Sequence, residues 1–234
     1  MKIVIIVPCF NAEKNLDNIK KSLEEQTDDR WSCVFINDIS TDKTQDKIIQ
    51  ICESNNKFSY VENSDKKYAL RNIVEQSRKF ENESETIIGV VDGDDQLCNP
   101  RAIEIVLSAY KSGGDVVWTA HKWDINGMNI SKSMPENVNP YQWPWCTSHF
   151  RTFRSSLLKN IHDKNFKDPY ENWFKRGYDQ ALMLPLLSLT KNRVYIDEIC
   201  YLYNIESVSV NDRDWAEHSQ LSTINLVRAR GLLS

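Results

Sequence analysis

Asp92, Asp94 and Asp95 lie within four residues of chain and follow the apolar run Thr86 to Val91. Carboxylates this close repel one another and raise each other's pKa values. A cation relieves that repulsion, and all-oxygen ligands select a hard divalent ion, Mg²⁺ or Mn²⁺. The protein then fills only part of the coordination shell and leaves room for phosphate oxygens. The competing reading is a solvated Asp92-Gly93 turn that caps the next helix. A second polar pair, Asn37-Asp38, ends another apolar run, Ser32 to Ile36. No glycine-rich phosphate loop is present: neither G-x-G-x-x-G nor G-x-x-x-x-G-K-[ST] occurs, which argues against dinucleotide-binding and P-loop chemistry. A nucleotide would be held by its base and ribose at strand ends, with its diphosphate on the metal.

The elements that must position these groups alternate through the first half. Ile3 to Val7 reads as a strand buried on both faces. Leu16, Ile19 and Leu23 follow at helical spacing. Ser32 to Ile36 is a second strand, and Thr41 or Asp42 can cap a helix carrying Ile48, Ile49 and Cys52. Phe58 to Val61 is a third strand, residues 66–79 a helix, Thr86 to Val91 a fourth strand. Asn99-Pro100 opens a helix with Ile103, Val106 and Leu107. This βαβαβαβα order predicts a mainly parallel, Rossmann-like sheet with flanking helices, with ligands at the carboxyl ends of its strands. Past residue 112 the pattern is mixed: a strand over Asp115 to Trp118, a hairpin over Ala120 to Ser131 turning at Asn126-Gly127, helices over Phe153 to Ile161 and Gln180 to Leu189, a strand over Tyr195 to Tyr203, and a last helix from about Trp215 to Leu233. The expected organisation is one domain, with a nucleotide-binding half at 1–111 and an acceptor half at 112–234.

Composition sets the outer bounds. The 234 residues are 41% hydrophobic and 26% charged, the balance of a globular domain with a full core. A net charge of −4 gives no global positive field for nucleic acid. No apolar run approaches the ~18 residues of a membrane span, and no signal peptide is expected at the N-terminus. The six cysteines have no C-x-x-C spacing, so they read as reduced thiols in a cytoplasmic protein rather than as a zinc site or disulfide framework.

Four segments together resemble the motifs of family 2 glycosyltransferases with the GT-A fold. Val7-Pro8-Cys9-Phe10-Asn11-Ala12-Glu13 is similar to the opening P-x-[YF]-N-x-E. Phe35 to Asp42 resembles [IV]-D-D-x-S-x-D, with Asn37 in place of the first Asp. Ala69-Leu70-Arg71-Asn72 resembles the A-R-N helix, and Val90 to Asp95 the D-x-D motif. The resemblance implies a nucleotide-sugar donor, usually UDP-linked, and inversion at the anomeric carbon. It places Asp38 and the backbone at Pro8, Cys9 and Phe10 around the nucleobase, with Asn11 and Glu13 nearby. Arg71 falls near the phosphates. Asp92, Gly93 and Asp94 meet ribose and metal, with Asp94 or Asp95 the expected metal ligand. Asn37 reads as a turn cap.

On the acceptor side the family carries E-D at a helix start, and Gly177-Tyr178-Asp179-Gln180 resembles that place with Tyr178 for the Glu. Asp179 is then the expected general base, or an N-cap of the following helix; Glu171 and Glu206 are its substitutes. A family His beyond the base has no counterpart, which leaves His218 or Asp212 as a further metal ligand. His149 and Arg151 are candidates for an acceptor or diphosphate contact, or for a structural hydrogen bond. Trp143 and Trp145 can stack on a sugar or pack into the core. Residues 147–176 carry seven basic side chains against three acidic ones, which meet an anionic group or are solvated. The acceptor class stays open among glycan, lipid-linked sugar, protein and modified nucleic-acid base. Two rival readings are a non-catalytic carbohydrate-binding protein on the same fold and a nucleotidyltransferase.

Overall fold

A computed structural model describes residues 1–205 and the backbone from 213 onward, with side chains again from 219. Eight strands form one sheet: β1 (Lys2–Cys9), β2 (Trp31–Asn37), β3 (Phe58–Glu62), β4 (Thr86–Val90), β5 (Gln96–Leu97), β6 (Val116–Trp123), β7 (Arg151–Arg154) and β8 (Arg193–Tyr203). Their order is β3-β2-β1-β4-β7-β6-β8-β5. The first four run parallel, as the βα alternation predicts. β7 enters antiparallel between β4 and β6, and β8 pairs parallel with β6. The result is the expected mainly parallel sheet with a mixed second half.

Period-two alternation assigns the helices to faces. Ile3, Ile5 and Val7 of β1 share a core with α1 (Leu16–Glu24), α2 (Thr44–Ser54) and α4 (Ala102–Lys111). Val4 and Ile6 face the other way, onto α3 (Tyr68–Arg78), α5 (Tyr178–Ser188) and α6 (Arg213–Arg230). Both faces of the central strands are therefore dry, which is why they read as unbroken apolar runs.

Two expectations are corrected. The helix predicted over Phe153 to Ile161 is instead the end of β7 followed by a 3₁₀ helix at Ser155–Asn160. Phe153 is taken up by the sheet, opposite Ile88 on one side and Val116 on the other, and tertiary pairing overrides local helical spacing. The hairpin predicted over Ala120 to Ser131 lacks a returning strand. β6 instead continues to Trp123 alongside β8, and the Asn126-Gly127 turn closes its backbone bonds on Trp123, after which Asn129 and Ser131 meet β6 only by side chain, at His121. The two-residue strand β5, against the far edge of β8, has no signal in the sequence. All six cysteines are free thiols. Among the described residues no helix is long and apolar enough to cross a membrane.

Candidate active site

β4 ends at Val90, and Asp92 lies two residues beyond it; across the sheet Val90 pairs with Arg151 of β7. That register brings the Arg151 guanidinium to the carboxylate. Arg151 Nη2 donates to Asp92 Oδ2 at 3.0 Å and to the Tyr178 hydroxyl at 2.9 Å. Tyr178 in turn donates to Asp92 Oδ1. Arg151 is 2% exposed. Burial opposes its charge, but Tyr178, Asp92 and Asp179 more than offset that, and its pKa is raised. Arg151 is thus a buried counter-ion.

Asp95 sits deeper. Its carboxylate accepts from the Tyr201 hydroxyl and the Asn204 N–H, both at 2.8 Å. The Asp92 N–H donates to that same Tyr201 oxygen. Burial first, then the neighbouring Asp92 and Asp94, push the Asp95 carboxyl up to about 9, the like-charge strain expected from the sequence. The His149 ring stacks on Tyr201 at 4.6 Å and Tyr203 at 4.9 Å. Its Nδ1 lies 4.0 Å from Asp92 Oδ2 and has no hydrogen-bond partner although it is buried. Burial, then Arg151 and His121, hold its pKa well below the ordinary histidine value, so the ring is neutral and has a lone pair to offer. One ligand atom each from Asp92, Asp95 and His149 fits within a 4.8 Å span. Asp94 stands beside this group, on the wall of a polar hollow of about 130 Å³ shared with Asp95, Asp124 and Asn15. The structure therefore gathers two of the three expected acidic ligands and adds His149, read from the sequence as an acceptor-side residue.

Gly93 has a steric reason to be glycine. A Cβ there would sit 2.7 Å from the Pro8 carbonyl oxygen and 3.3 Å from Cys9 Cα, both backbone atoms that cannot swing away. We expect Gly93→Ala to cost about 1–3 kcal/mol, the usual penalty of overpacking, read as a lower urea midpoint. An unchanged midpoint would mean that the turn has slack.

At the end of β1, Asn11 and Glu13 serve the framework. Asn11 Oδ1 accepts from the Thr41 N–H at 2.8 Å, and Glu13 Oε2 from the Lys43 N–H at 3.3 Å. Asn37 Oδ1 accepts from the Ser40 N–H, the turn cap expected of it. Asp38 is 3% exposed and accepts from Asn63, Lys67 N–H and Tyr68 N–H, each at 2.8 Å. These bonds, with Asn72, outweigh its burial and hold its pKa below the ordinary carboxylate value. Cys9 is buried, while Phe10 is 53% exposed. Arg71 pairs with Glu75 at 2.7 Å and Asp65 at 3.8 Å.

The cap of α5 is Gly177, and Asp179 is the second helical residue, so the N-cap reading of Asp179 is corrected. Burial pushes its carboxyl up, with Arg151 opposing. Trp143 and Trp145 are half-buried and pack against the α3–α5 side of the core. Arg228 ties their loop to α5: it donates to the Tyr141 and Trp143 carbonyls and to Gln180 Oε1. Within the basic stretch, Arg151 and Arg154 are spent on internal ion pairs. Glu171 is exposed and pairs with Lys167. Glu206, Asp212 and His218 lie outside the residues whose side chains are described. The sequence did not reveal the Asp92–Arg151–Tyr178 linkage, since Arg151 joins Asp92 only through the pairing of β7 with β4.

A family profile described as glycosyl transferase family 2 matches residues 4–167. No curated protein matches in sequence. Among solved structures, S. aureus TarS superposes with a TM-score of 0.69 at 20% identity, over 100% of this chain and 41% of that one. The TarS 1–349 complex with UDP-GlcNAc gives 0.69 at 17%, over 100% and 68%. The mannosyltransferase PcManGT from Pyrobaculum calidifontis, in complex with GDP-Man and Mn²⁺, gives 0.66 at 14%, over 100% and 65%. The chain thus spans well under half of the TarS chain. At these identities the likeness is one of fold.

Proposed function

This chain belongs to glycosyl transferase family 2, and from that premise we propose that it moves a sugar from a nucleotide-sugar donor, UDP-linked, to an acceptor hydroxyl with inversion. The observation that carries this reading is the joining of Asp92, Asp95, His149 and Arg151 at the carboxyl end of a parallel strand, with Asp179 at the start of a helix beside them. Donor binding falls to the 1–111 half and the acceptor to the 112–234 half.

Asp179 accepts the proton of the acceptor hydroxyl as that oxygen attacks the anomeric carbon. The bond from that carbon to the diphosphate breaks on the opposite face, and the nucleoside diphosphate leaves with the electron pair. Arg151 holds Asp92 in place through its bond to Oδ2. A divalent cation fits the residues present: the buried, unpartnered Nδ1 of His149 faces the two carboxylates, and a nitrogen ligand favours Mn²⁺ over Mg²⁺. When bound, such an ion supplies Lewis-acid charge to the leaving diphosphate.

The test is a panel of UDP-GlcNAc, UDP-glucose and GDP-mannose, with Mn²⁺ or with chelator, scored by thermal shift and by nucleoside diphosphate release. Binding and release with at least one donor are expected, both diminished by chelator. Binding without release under any condition would make this a carbohydrate- or nucleotide-binding protein. Pyrophosphate release from a nucleoside triphosphate and a sugar phosphate would make it a nucleotidyltransferase.

A further inference from the structure

Two phenol hydroxyls stand between the carboxylate cluster and groups that can only donate. The Tyr178 oxygen accepts from Arg151 Nη2 at 2.9 Å, and the Tyr201 oxygen accepts from the Asp92 N–H at 3.0 Å. A guanidinium and a peptide N–H have no acceptor to offer in return. Each hydroxyl therefore turns its own proton the other way: Tyr178 to Asp92 Oδ1, and Tyr201 to Asp95 Oδ2 at 2.8 Å.

These bonds decide how the carboxylates stand. Asp92 is held at both oxygens, Oδ1 by Tyr178 and Oδ2 by Arg151. Asp95 is also held at both, Oδ2 by Tyr201 and Oδ1 by the Asn204 N–H. A carboxylate bonded through one oxygen can swing about its Cβ–Cγ bond; one bonded through both cannot. It has about four acceptor positions, so one bond on each oxygen leaves one position on each for an incoming cation. The third group is fixed from the same strand, because the His149 ring stacks on Tyr201 and Tyr203. Tyr201, fully buried, thus meets all three groups: the Asp92 N–H, the Asp95 carboxylate and the His149 ring.

We infer that Tyr178 and Tyr201, through their hydroxyls, are positioning residues of the divalent-cation site: they fix Asp92 and Asp95 so that these two and His149 take an ion without rearranging. This rests on the cation reading above and goes beyond it. Both tyrosines come from the 112–234 half, so the acceptor half sets the cation that serves the donor.

Tyr178→Phe and Tyr201→Phe each delete one hydroxyl and keep the ring, so the stack on His149 and the packing stay. Mn²⁺ binding is titrated alone and with UDP, read from the paramagnetic resonance of the free ion. Each variant is expected to bind Mn²⁺ about 10–100-fold more weakly than wild type, the usual cost of removing a group that orients a metal ligand. Tyr110→Phe is the control for general loosening. It loses a buried hydrogen bond to Thr152 that touches none of the three groups, and its Mn²⁺ affinity is expected to equal that of wild type. Urea midpoints report the stability of every variant, and because the two hydroxyls are removed separately, a misfolded variant leaves the other to decide. Unchanged Mn²⁺ affinity in the folded Phe variants would overturn the inference and leave the cation reading intact. An equal loss in Tyr110→Phe would overturn it too, as loosening of the whole fold. Failure of wild type to bind Mn²⁺, with UDP or without it, would remove the cation reading and this one together.

Discussion

Asp179→Asn is expected to lower single-turnover sugar transfer by roughly 10²–10⁴-fold, the usual worth of a positioned general base, with UDP affinity essentially unchanged. Asparagine keeps the size of the side chain and removes only the proton acceptor. Helix capping does not confuse the result, since the cap of α5 is Gly177. Loss of a first-turn charge costs the helix about 0.3–1 kcal/mol, too little to unfold the chain. The pH profile gives a second check. Burial raises the Asp179 pKa above the ordinary aspartate value, with Arg151 partly opposing. With ionised Asp179 as the proposed base, transfer is expected to be lost as pH falls through that raised pKa. The acid limb of kcat/KM should therefore stand above the range of a solvated aspartate. Transfer within a few-fold of wild type would end the assignment and turn attention to Glu171 or Glu206.

Arg151→Met destabilises the protein by about 3–5 kcal/mol, the cost of removing one partner from a buried ion pair. Methionine fills much of the space but takes away the bonds to Asp92 and Tyr178. Asp92 then keeps only the Tyr178 hydroxyl and the neutral His149 nearby. Urea unfolding followed by circular dichroism measures the loss. Arg151→Lys should recover part of it, since an ammonium restores the charge without the planar fork. A Met variant within about 1 kcal/mol of wild type, the scale of an exposed pair, would mean that Asp92 is solvated after all.

The chain announces its first hundred residues more clearly than its second. β1, β2 and β4 are buried on both faces, so each is an unbroken apolar run. α1 and α4 show one apolar stripe each. Asp92, Asp94 and Asp95 are neighbours in sequence, and their crowding is visible without any fold. The groups that meet them are not. His149, Arg151, Tyr178 and Tyr201 reach the cluster only because β7 inserts between β4 and β6 and β8 runs beside β6. Four residues beginning and ending in arginine carry too little period to mark β7, and Phe153 read there as helical. Asp38 was visible as a strand-end carboxylate. That its oxygens are taken up by Asn63, Lys67 and Tyr68 depends on how β3 and α3 lie beside β2, which no local pattern records.

The placement of β7 also constrains the segment that leads into it. Its register is fixed from both sides, by Val90 and Trp118 across from Arg151. Its faces are fixed too: Phe153 belongs to the α3–α5 core, while Thr152 meets the Tyr110 hydroxyl under α4. A slip of one residue would turn Arg151 away from Asp92. The excursion between β6 and β7, residues 124–150, leaves and returns at these clamped points and carries Trp143, Trp145 and His149. Between those ends it is no free loop: Met134, Tyr141 and Cys146 are buried in the α3–α5 core, so a change in its length shifts core side chains and the strand that carries Arg151 together.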